Sequence, residues 1–272
     1  MKQLLALILV FTAYTATANN YYPTEFQKAL ESDTLRGEFL KQSLFDILNT
    51  QHQRNGNQPD TLGCDRNRKG SCYRQLSLGY RGARKVLFGK LHLEEDSQGY
   101  YVKDVYCNKE FRNNRTKVGP NTIPNSNVLN CEHTWPQSKF TGKFDKGLQK
   151  SDLHHLFPSD SKANSIRGNY KFSDVNGTVV SDNCSASRTE GHGGDFEPPT
   201  EHKGNVARAL FYFSVRYQIN IDPKQEETMR RWHILDPVDA AEMERNEEIY
   251  GIQNNRNPFI DYPELVEKVN NF

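Results

Sequence analysis

The spacing of hydrophobic residues predicts several helices. In residues 35–53 the apolar side chains recur at the i, i+4, i+7 and i+8 positions of one helical face. They are Leu40, Leu44, Ile47 and Leu48. The same period predicts helices over residues 79–92 and 203–218. More polar helices are predicted at residues 223–235, which begin with a proline suited to a first helical turn, and at residues 240–249.

Strands and loops are predicted between these helices. Residues 100–106 alternate between apolar and polar side chains, as a strand does, whereas residues 108–127 and 173–199 are rich in turn-forming residues and predict loops. No internal repeat or low-complexity linker divides the chain after residue 18. The pattern predicts an α+β fold, a mostly helical single domain with small sheets over residues 19–272.

The first eighteen residues have the pattern of a signal peptide. A positive charge at Lys2 precedes an apolar run over residues 4–14, and Ala16-Thr17-Ala18 fits a small-residue cleavage site. A transmembrane helix needs about 20 apolar residues, which is longer than this run. We therefore expect export, to the periplasm or outside the cell, and no membrane association after cleavage.

The charge balance bears on possible partners. The chain has 35 Lys and Arg residues against 34 Asp and Glu, which excludes a histone-like polycation, so any anionic partner must meet a local basic patch. The 15 Phe and 13 Tyr argue for a folded core, because each aromatic ring buries a large apolar area.

Export would place the five cysteines in an oxidising compartment, which favours disulfides. Cys64 and Cys72 bracket a short polar loop and are the pair that closes most easily. Of Cys107, Cys131 and Cys184 one must stay unpaired within the chain. The sequence leaves open which two of these three join.

Side chains capable of catalysis or metal binding are concentrated in residues 131–138 (CEHTWPQS) and 151–169 (SDLHHLFPSDSKANSIRGN). Between them the two segments hold Glu132, His133, Asp152, His154, His155, Asp160, Asn164 and Arg167. Neutral imidazole accepts a proton near pH 7, and carboxylate and amide oxygens bind divalent cations. These segments are the candidate functional site.

The same segments predict two strands followed by a helix. The first strand covers residues 127–135, and the second covers residues 153–157 and is ended by Pro158. Ser159 is a suitable N-cap for the helix, and Gly168, which tolerates positive φ, would close it.

Neighbouring side chains on a strand point to opposite faces. Glu132 and His133 can therefore meet at one site only where the strand end is irregular. By the same argument one of His154 and His155 supports the site while the other packs or faces water. We expect His154 to be the supporting residue, acting by orienting His133 or the backbone.

Six blocks of the sequence, in order, resemble bacterial endonuclease I. They are CEHTWPQS (131–138), SDLHHLFPS (151–159), the Asn-x-x-Arg-Gly-Asn of residues 164–169, Glu197-Pro198-Pro199, residues 204–217 and the Asn-Arg-Asn-Pro-Phe of residues 255–259. The resemblance covers residues 80–266. It implies an exported, non-specific nuclease with a ββα-metal, or His-Me finger, active-site core.

The resemblance also implies roles for single residues. His133 matches the family's general base. Because the ordinary pKa of imidazole is near 6.5, we expect cleavage to decline as the pH falls through about 6 to 6.5 and His133 becomes protonated. Glu132 and Asn164 fall on the metal ligands. Two protein oxygens completed by water and phosphate suit one Mg²⁺, with Mn²⁺ or Ca²⁺ as substitutes.

Arg167 is expected to hold a phosphate oxygen through its planar guanidinium. Members of the family also use an arginine between the two strands, but residues 139–150 contain only lysines, so the resemblance does not identify a second phosphate clamp. The candidates for contacts to the substrate backbone are Lys139, Lys143, Lys146 and Arg115. Cleavage would leave 5′-phosphates on DNA, and on RNA if it is also a substrate, and the protein is expected to act as a monomer.

Three other functions fit parts of the pattern. A zinc site could use Cys131, His133, His154 and His155, although neighbours on a strand do not easily converge on one ion. A non-catalytic nucleic-acid-binding module would not need Glu132 or Asn164. A metal-dependent phosphodiesterase would act on small phosphate esters instead of plasmid DNA.

Overall fold

The structure is a computed structural model that describes residues 20–65, 71–113, 116–191 and 193–272. The chain forms two compact units. The first contains the described residues up to Leu76 with residues 214–220 and 238–272, and the second contains residues 77–213 and 221–237. A single domain over residues 19–272 stays a prediction, and the predicted signal peptide lies outside the described residues.

The first unit is built from helices and one small sheet. Its elements are α1 (Thr24–Glu31), α2 (Gly37–Asn49), β1 (His52–Asn55), β2 (Gln58–Leu62), β3 (Cys72–Tyr73), α8 (Ala240–Gln253), α9 (Pro258–Asp261) and α10 (Leu265–Lys268). The three strands pair in the order β2-β1-β3. Helix α2 buries Leu40, Leu44, Ile47 and Leu48, so the predicted apolar face is confirmed.

The second unit holds the candidate site. Its elements are α3 (Gly79–Val86), β4 (Glu94–Asp96), β5 (Gly99–Lys103), β6 (Glu110–Arg112), β7 (Leu129–His133), α4 (Lys146–Ser151), β8 (Leu156–Asp160), α5 (Ser161–Arg167), β9 (Thr178–Ser181), β10 (Cys184–Thr189), β11 (Phe196–Glu197), the part of α6 (Thr200–Tyr217) up to Phe213, and α7 (Pro223–Leu235). Its strands form three small antiparallel sheets. The α+β class with small sheets is confirmed.

Strands β7 and β8 and helix α5 form a strand-strand-helix motif. The strands are antiparallel, with Glu132 opposite Phe157 and His133 opposite Leu156. Helix α5 follows β8 directly, and its N-cap is Asp160, whose carboxylate accepts hydrogen bonds from the N–H groups of Lys162 and Ala163. The predicted cap at Ser159 is therefore wrong, because the helix begins at Ser161, one residue later than a Ser159 cap requires.

The second predicted strand is shifted. Leu153–His155 is a 3₁₀ turn, capped by the Asp152 carboxylate, and the strand is Leu156–Asp160. Pro158 lies inside this strand opposite Cys131, although proline was expected to end it. A proline is tolerated here because β8 pairs with β7 alone and lies at an edge of a two-stranded sheet.

Two segments predicted as loops contain short strands. Residues 108–127 include β6, and residues 173–199 include the sheet β11-β10-β9. Strands of two to six residues show too few alternations to be recognised among polar and turn-forming side chains.

The disulfides resolve the cysteine question. Cys64 is bonded to Cys72, as predicted, and Cys107 is bonded to Cys184. Cys131 is the free cysteine, and burial raises the pKa of its thiol. Among the described residues no helix is long and apolar enough to cross a membrane.

Candidate functional site

A polar cleft of about 320 Å³ lies at the end of β7. It is lined by Tyr80, by residues 130–133 and 136–138, and by Asn164, Ser165 and residues 167–169 of α5 and the turn after it. Glu132 and His133 both reach this cleft because His133 is the last residue of the strand. The pairing of β7 with β8 is regular as far as His133, so the expected irregularity of the strand end is not seen, although both residues line the cleft.

The imidazole of His133 is held on two sides. Its Nε2 lies 3.1 Å from the carbonyl oxygen of Lys150, and its Nδ1 lies 3.3 Å from the side-chain amide nitrogen of Gln137. A carbonyl oxygen can only accept, so the neutral ring carries its proton on Nε2. Nδ1 is then the basic nitrogen, placed next to Gln137 at the wall of the cleft.

Burial changes the acid–base behaviour of His133. The side chain is 6% exposed, and burial, together with the nearby imidazole of His155, lowers its pKa to about 3. The expectation of an ordinary pKa near 6.5 is therefore wrong for the folded protein. The ring stays neutral well below pH 6, and the lower pKa also makes it a weaker base than a free imidazole.

Glu132 is buried beside a guanidinium group. Its residue exposure is 1%, and its Oε1 lies 2.9 Å from Nη1 of Arg167. Burial raises the pKa of the Glu132 carboxyl, and the positive charge of Arg167 acts in the opposite direction. The ion pair thus compensates for part of the cost of a charged carboxylate in a buried place.

Arg167 is itself 1% exposed and bound to the backbone. Its Nη1 donates to the carbonyl oxygen of His133 at 3.1 Å, and its Nη2 donates to that of Thr134 at 2.7 Å. The guanidinium also packs over the ring of Phe172, 4.3 Å from its centre. These contacts fix the end of β7, while Nε of the same guanidinium is buried without a hydrogen-bond partner among the described residues, and the contact of Arg167 with a phosphate oxygen stays a prediction.

Asn164 lies on α5 at the same cleft. Its amide nitrogen is 3.5 Å from the carbonyl oxygen of Cys131, at the limit of a hydrogen bond. Within the described part of the chain its amide oxygen has no hydrogen-bond partner. The cleft therefore offers one carboxylate and one amide oxygen, a set that suits a hard cation completed by water.

The alternative zinc site does not form. No group of three His, Cys, Asp or Glu side chains gathers as a metal-binding set among the residues that the structure describes. Cys131 is also a poor zinc ligand, since burial raises the pKa of its thiol and metal binding needs the thiolate.

The two adjacent histidines have different surroundings. The ring of His154 packs against Tyr212, with ring centres 4.6 Å apart. The histidine whose ring lies beside His133, at 5.4 Å, is His155, and its Nε2 is 2.8 Å from the carbonyl oxygen of Gln149. The geometry thus favours His155 over His154 as the histidine that supports His133, since a 3₁₀ turn replaces the expected strand.

The predicted substrate-binding lysines lie on the segment between β7 and β8. Lys139 ends a short 3₁₀ turn (Gln137–Lys139), Lys143 is in a loop and Lys146 begins α4, and all three are exposed. Partial burial, with the positive charges of Arg167 and Lys171, lowers the pKa of Lys139. Arg115 lies outside the described residues.

Three parts of the site were not predicted from the sequence. The Lys150 carbonyl carries no side-chain signal, because every residue has the same group. Gln137 lies within the matched block CEHTWPQS and could have been proposed from it. His155 was considered, but the alternation of a strand favoured its neighbour.

The fold and the site define an α+β protein with a histidine-bearing strand-strand-helix motif. The chain belongs to the endonuclease I family, whose family model matches residues 36–264. The resemblance seen in residues 80–266 is thereby confirmed and extends toward the N-terminus. Nucleases of this family are generally metal-dependent.

Several characterised relatives match about half of the chain. An extracellular ribonuclease of Bacillus subtilis is 37% identical over 158 residues, which are 52% of this chain and 53% of the relative. An extracellular deoxyribonuclease of Aeromonas hydrophila is 35% identical over 131 residues, 47% of this chain and 58% of the relative. A periplasmic deoxyribonuclease of the same organism is 32% identical over 122 residues, which are 44% of this chain and 51% of the relative. The chain thus spans about half the length of these relatives.

Proposed function

We propose that this protein is an exported, metal-dependent endonuclease that hydrolyses phosphodiester bonds in nucleic acids. The observation that carries the proposal is the cleft at the end of β7, where the basic Nδ1 of a neutral histidine lies among two oxygen donors for a cation. Family membership and the nuclease names of the relatives support it. Export rests on the predicted signal peptide and on relatives named extracellular or periplasmic.

His133 is the proposed general base. The Lys150 carbonyl holds the proton on Nε2, so Nδ1 is free to take a proton from a water molecule that attacks the phosphorus. Gln137 lies against the same nitrogen at 3.3 Å and would give way to that water, or orient it. Because burial keeps the ring neutral, His133 is in its active protonation state throughout the physiological pH range.

Glu132 and Asn164 are the proposed ligands of one Mg²⁺, for which Mn²⁺ or Ca²⁺ would substitute. Their carboxylate and amide oxygens match the ligand type that these cations prefer. When bound, the ion supplies positive charge to the scissile phosphate and to the leaving 3′-oxygen. Departure of that oxygen leaves the phosphate on the 5′ side of the next nucleotide.

Arg167 is proposed to position the site rather than to bind substrate. It joins Glu132 to the carbonyl groups of His133 and Thr134, and so links the proposed ligand to the backbone of the proposed base. A phosphate bound through its two terminal nitrogens would compete with these buried partners, whose loss is unfavourable.

The proposed substrates are DNA and RNA, bound without sequence preference. Relatives of this chain include both a ribonuclease and deoxyribonucleases. Lys139, Lys143 and Lys146 are exposed beside the cleft segment and are suited to backbone phosphates, which carry no base information.

The function can be tested on purified protein. Supercoiled plasmid and a structured RNA should be cut in Mg²⁺ and left intact in EDTA, with 5′-phosphates on the products. Bis(p-nitrophenyl) phosphate, a small diester, should turn over far more slowly. Binding of plasmid without cleavage in any divalent cation would support a non-catalytic module instead, and rapid turnover of the small ester alone would support a phosphodiesterase.

A further inference from the structure

A second cavity, of about 680 Å³, lies beside the candidate active cleft in the same unit. Asn169 lines both cavities, and Ser138 lines the active cleft. The side-chain amide of Asn169 donates to the hydroxyl oxygen of Ser138 at 3.2 Å. The two cavities are therefore adjacent and share Asn169 as a lining residue.

Cations dominate the charged groups of the second cavity. Its lining includes Lys139, Lys171, Lys224 and Arg231 against only two carboxylates, those of Asp195 and Glu227. Asp222 and Asp174 pair with two of these cations from outside the lining, so attraction of an anion depends on the cations that have no such partner.

Two of these cations are already neutralised and two are available. Lys171 is paired with Asp222 at 2.8 Å, and Arg231 is paired with Asp174 and Glu227. Lys139 and Lys224 form no ion pair with any residue that the structure describes. Partial burial, and after it the positive charges of Arg167 and Lys171, lower the pKa of Lys139, while Asp222 and Asp195 act in the opposite direction.

We propose that the second cavity binds the nucleotides that flank the scissile phosphate on the same strand, with Lys139 and Lys224 contacting their phosphates. The proposal rests on the nuclease function proposed above and extends it to a substrate subsite. Its volume suits a ligand of nucleotide size, and Tyr170 in the wall offers a ring on which a base can stack. The subsite gives Lys139 the place of the phosphate clamp that the resemblance left unidentified.

The test measures how strongly binding of a single strand depends on salt. A fluorescein-labelled 12-nucleotide oligothymidylate is titrated with protein in EDTA, where no cleavage is expected, at several NaCl concentrations. Each phosphate neutralised on a single strand contributes about 0.7 to the slope of log K against log[salt]. The double variant Lys139→Gln/Lys224→Gln should therefore lower the magnitude of the wild-type slope by about 1.4.

The matched control is Lys85→Gln/Lys103→Gln. Both lysines are exposed in the same unit and neither lines either cavity, so this variant makes the same change in net charge without touching the proposed subsite. Its slope should equal that of the wild type. An equal loss of slope in both double variants, or no loss in Lys139→Gln/Lys224→Gln, would overturn the subsite.

A kinetic measurement separates this proposal from the nuclease function itself. With Mg²⁺ present, the subsite variant should raise KM for the 12-nucleotide substrate about tenfold and leave kcat nearly unchanged, because only binding of the flanking strand is weakened. If the wild type cleaves and the variant has an unchanged KM, the subsite alone is wrong. If the wild type cleaves neither plasmid nor oligonucleotide in Mg²⁺, the nuclease function is wrong as well.

Discussion

His133 and Glu132 are neighbours in sequence, and burial acts on both, but in opposite directions on the pKa scale. It lowers the pKa of the imidazole and raises that of the carboxyl, since each shift favours the uncharged form. Among the described residues the imidazole has no carboxylate partner, so its neutral form is favoured. The carboxyl has Arg167 at 2.9 Å, which favours its charged form.

Variants of the three proposed site residues should differ in their response to metal. His133→Ala should lose about 10²-fold or more of plasmid cleavage, because no other group near the water is a comparable base. Glu132→Gln and Asn164→Ala should weaken the cation, so raised Mg²⁺ should restore part of their activity and none of that of His133→Ala. Initial cleavage rates over a Mg²⁺ series provide the measurement.

Asn127→Ala is a suitable control for the amide substitution. Asn127 is exposed just before β7 and does not line the cleft, so its Mg²⁺ dependence should match that of the wild type. Equal rescue of all three site variants by Mg²⁺ would show that the division between base and ligands is wrong.

The pH dependence of stability should report the buried imidazole. Its pKa is about 3 in the folded protein and near 6.5 when unfolded, so the unfolded chain binds more protons between these values. The contribution of His133 is fully present above about pH 6.5 and is lost as the pH falls toward 3, by at most about 1.4 kcal/mol per pH unit. Urea unfolding in EDTA should show a steeper loss between pH 6.5 and 4 in the wild type than in His133→Asn.

The same shift changes the expected pH profile of cleavage. Loss of activity through pH 6 to 6.5, as an exposed imidazole would give, should not occur. A profile that falls at that pH, together with equal unfolding slopes for wild type and His133→Asn, would show that the ring titrates normally.

At the scale of elements, long periodic helices could be predicted and short irregular ones could not. Helix α7 has the predicted bounds, Pro223–Leu235, and the apolar face of α2 is the predicted one. The sequence pattern predicts a strand where the structure has the 3₁₀ turn Leu153–His155, because three residues are too few to show the period of either structure. That one difference places the ring of His155, rather than that of His154, beside His133.

The sequence predicts which residues lie at the candidate site, but not which of them contact each other. The matched sequence blocks bring Glu132, His133 and Asn164 to one cleft, as expected. The pairing of Arg167 with Glu132 joins residues on two elements, and the sequence pattern contains no information about which face of α5 is buried. The sequence pattern therefore cannot show whether Arg167 faces a substrate phosphate or a buried carboxylate.

Removal of the Arg167 side chain should be costly for the strand-strand-helix motif. Arg167→Leu leaves the buried carboxylate of Glu132 without its partner and breaks the hydrogen bonds to the end of β7, so we expect a loss of about 3–5 kcal/mol in unfolding free energy. The double variant Glu132→Gln/Arg167→Leu should recover part of it, since no unpaired charge remains.

Arg112→Leu provides the comparison at the surface. Arg112 forms a two-bond ion pair with Asp96 on the exposed side of the sheet β4-β5-β6, where an ion pair contributes about 1 kcal/mol or less. Urea unfolding of the variants measures both effects. A loss for Arg167→Leu no larger than for Arg112→Leu would contradict a positioning role for Arg167.

At the scale of the whole molecule, the number of free thiols tests the two disulfide bonds. Thiol titration of the denatured, unreduced protein should find one thiol, that of Cys131, and five after reduction. In the native protein even this thiol should react slowly, because it is buried and its raised pKa disfavours the thiolate. Three thiols before reduction would show that only one of the two bridges forms.

The bridge between Cys107 and Cys184 closes a covalent ring that contains β7, α4, β8 and α5, with a sequence separation of 77 between the two cysteines. Tying a ring of this length is worth about 4 kcal/mol in the chain-entropy account. A single peptide bond cut inside the ring, for example by trypsin at the exposed Lys143, leaves both ends of the break on one molecule. The nicked protein should run as one species on a non-reducing denaturing gel and separate into two fragments only after reduction, and two fragments without reductant would contradict the bridge. Every residue proposed for the chemistry would thus remain part of one covalently joined body after such a cut.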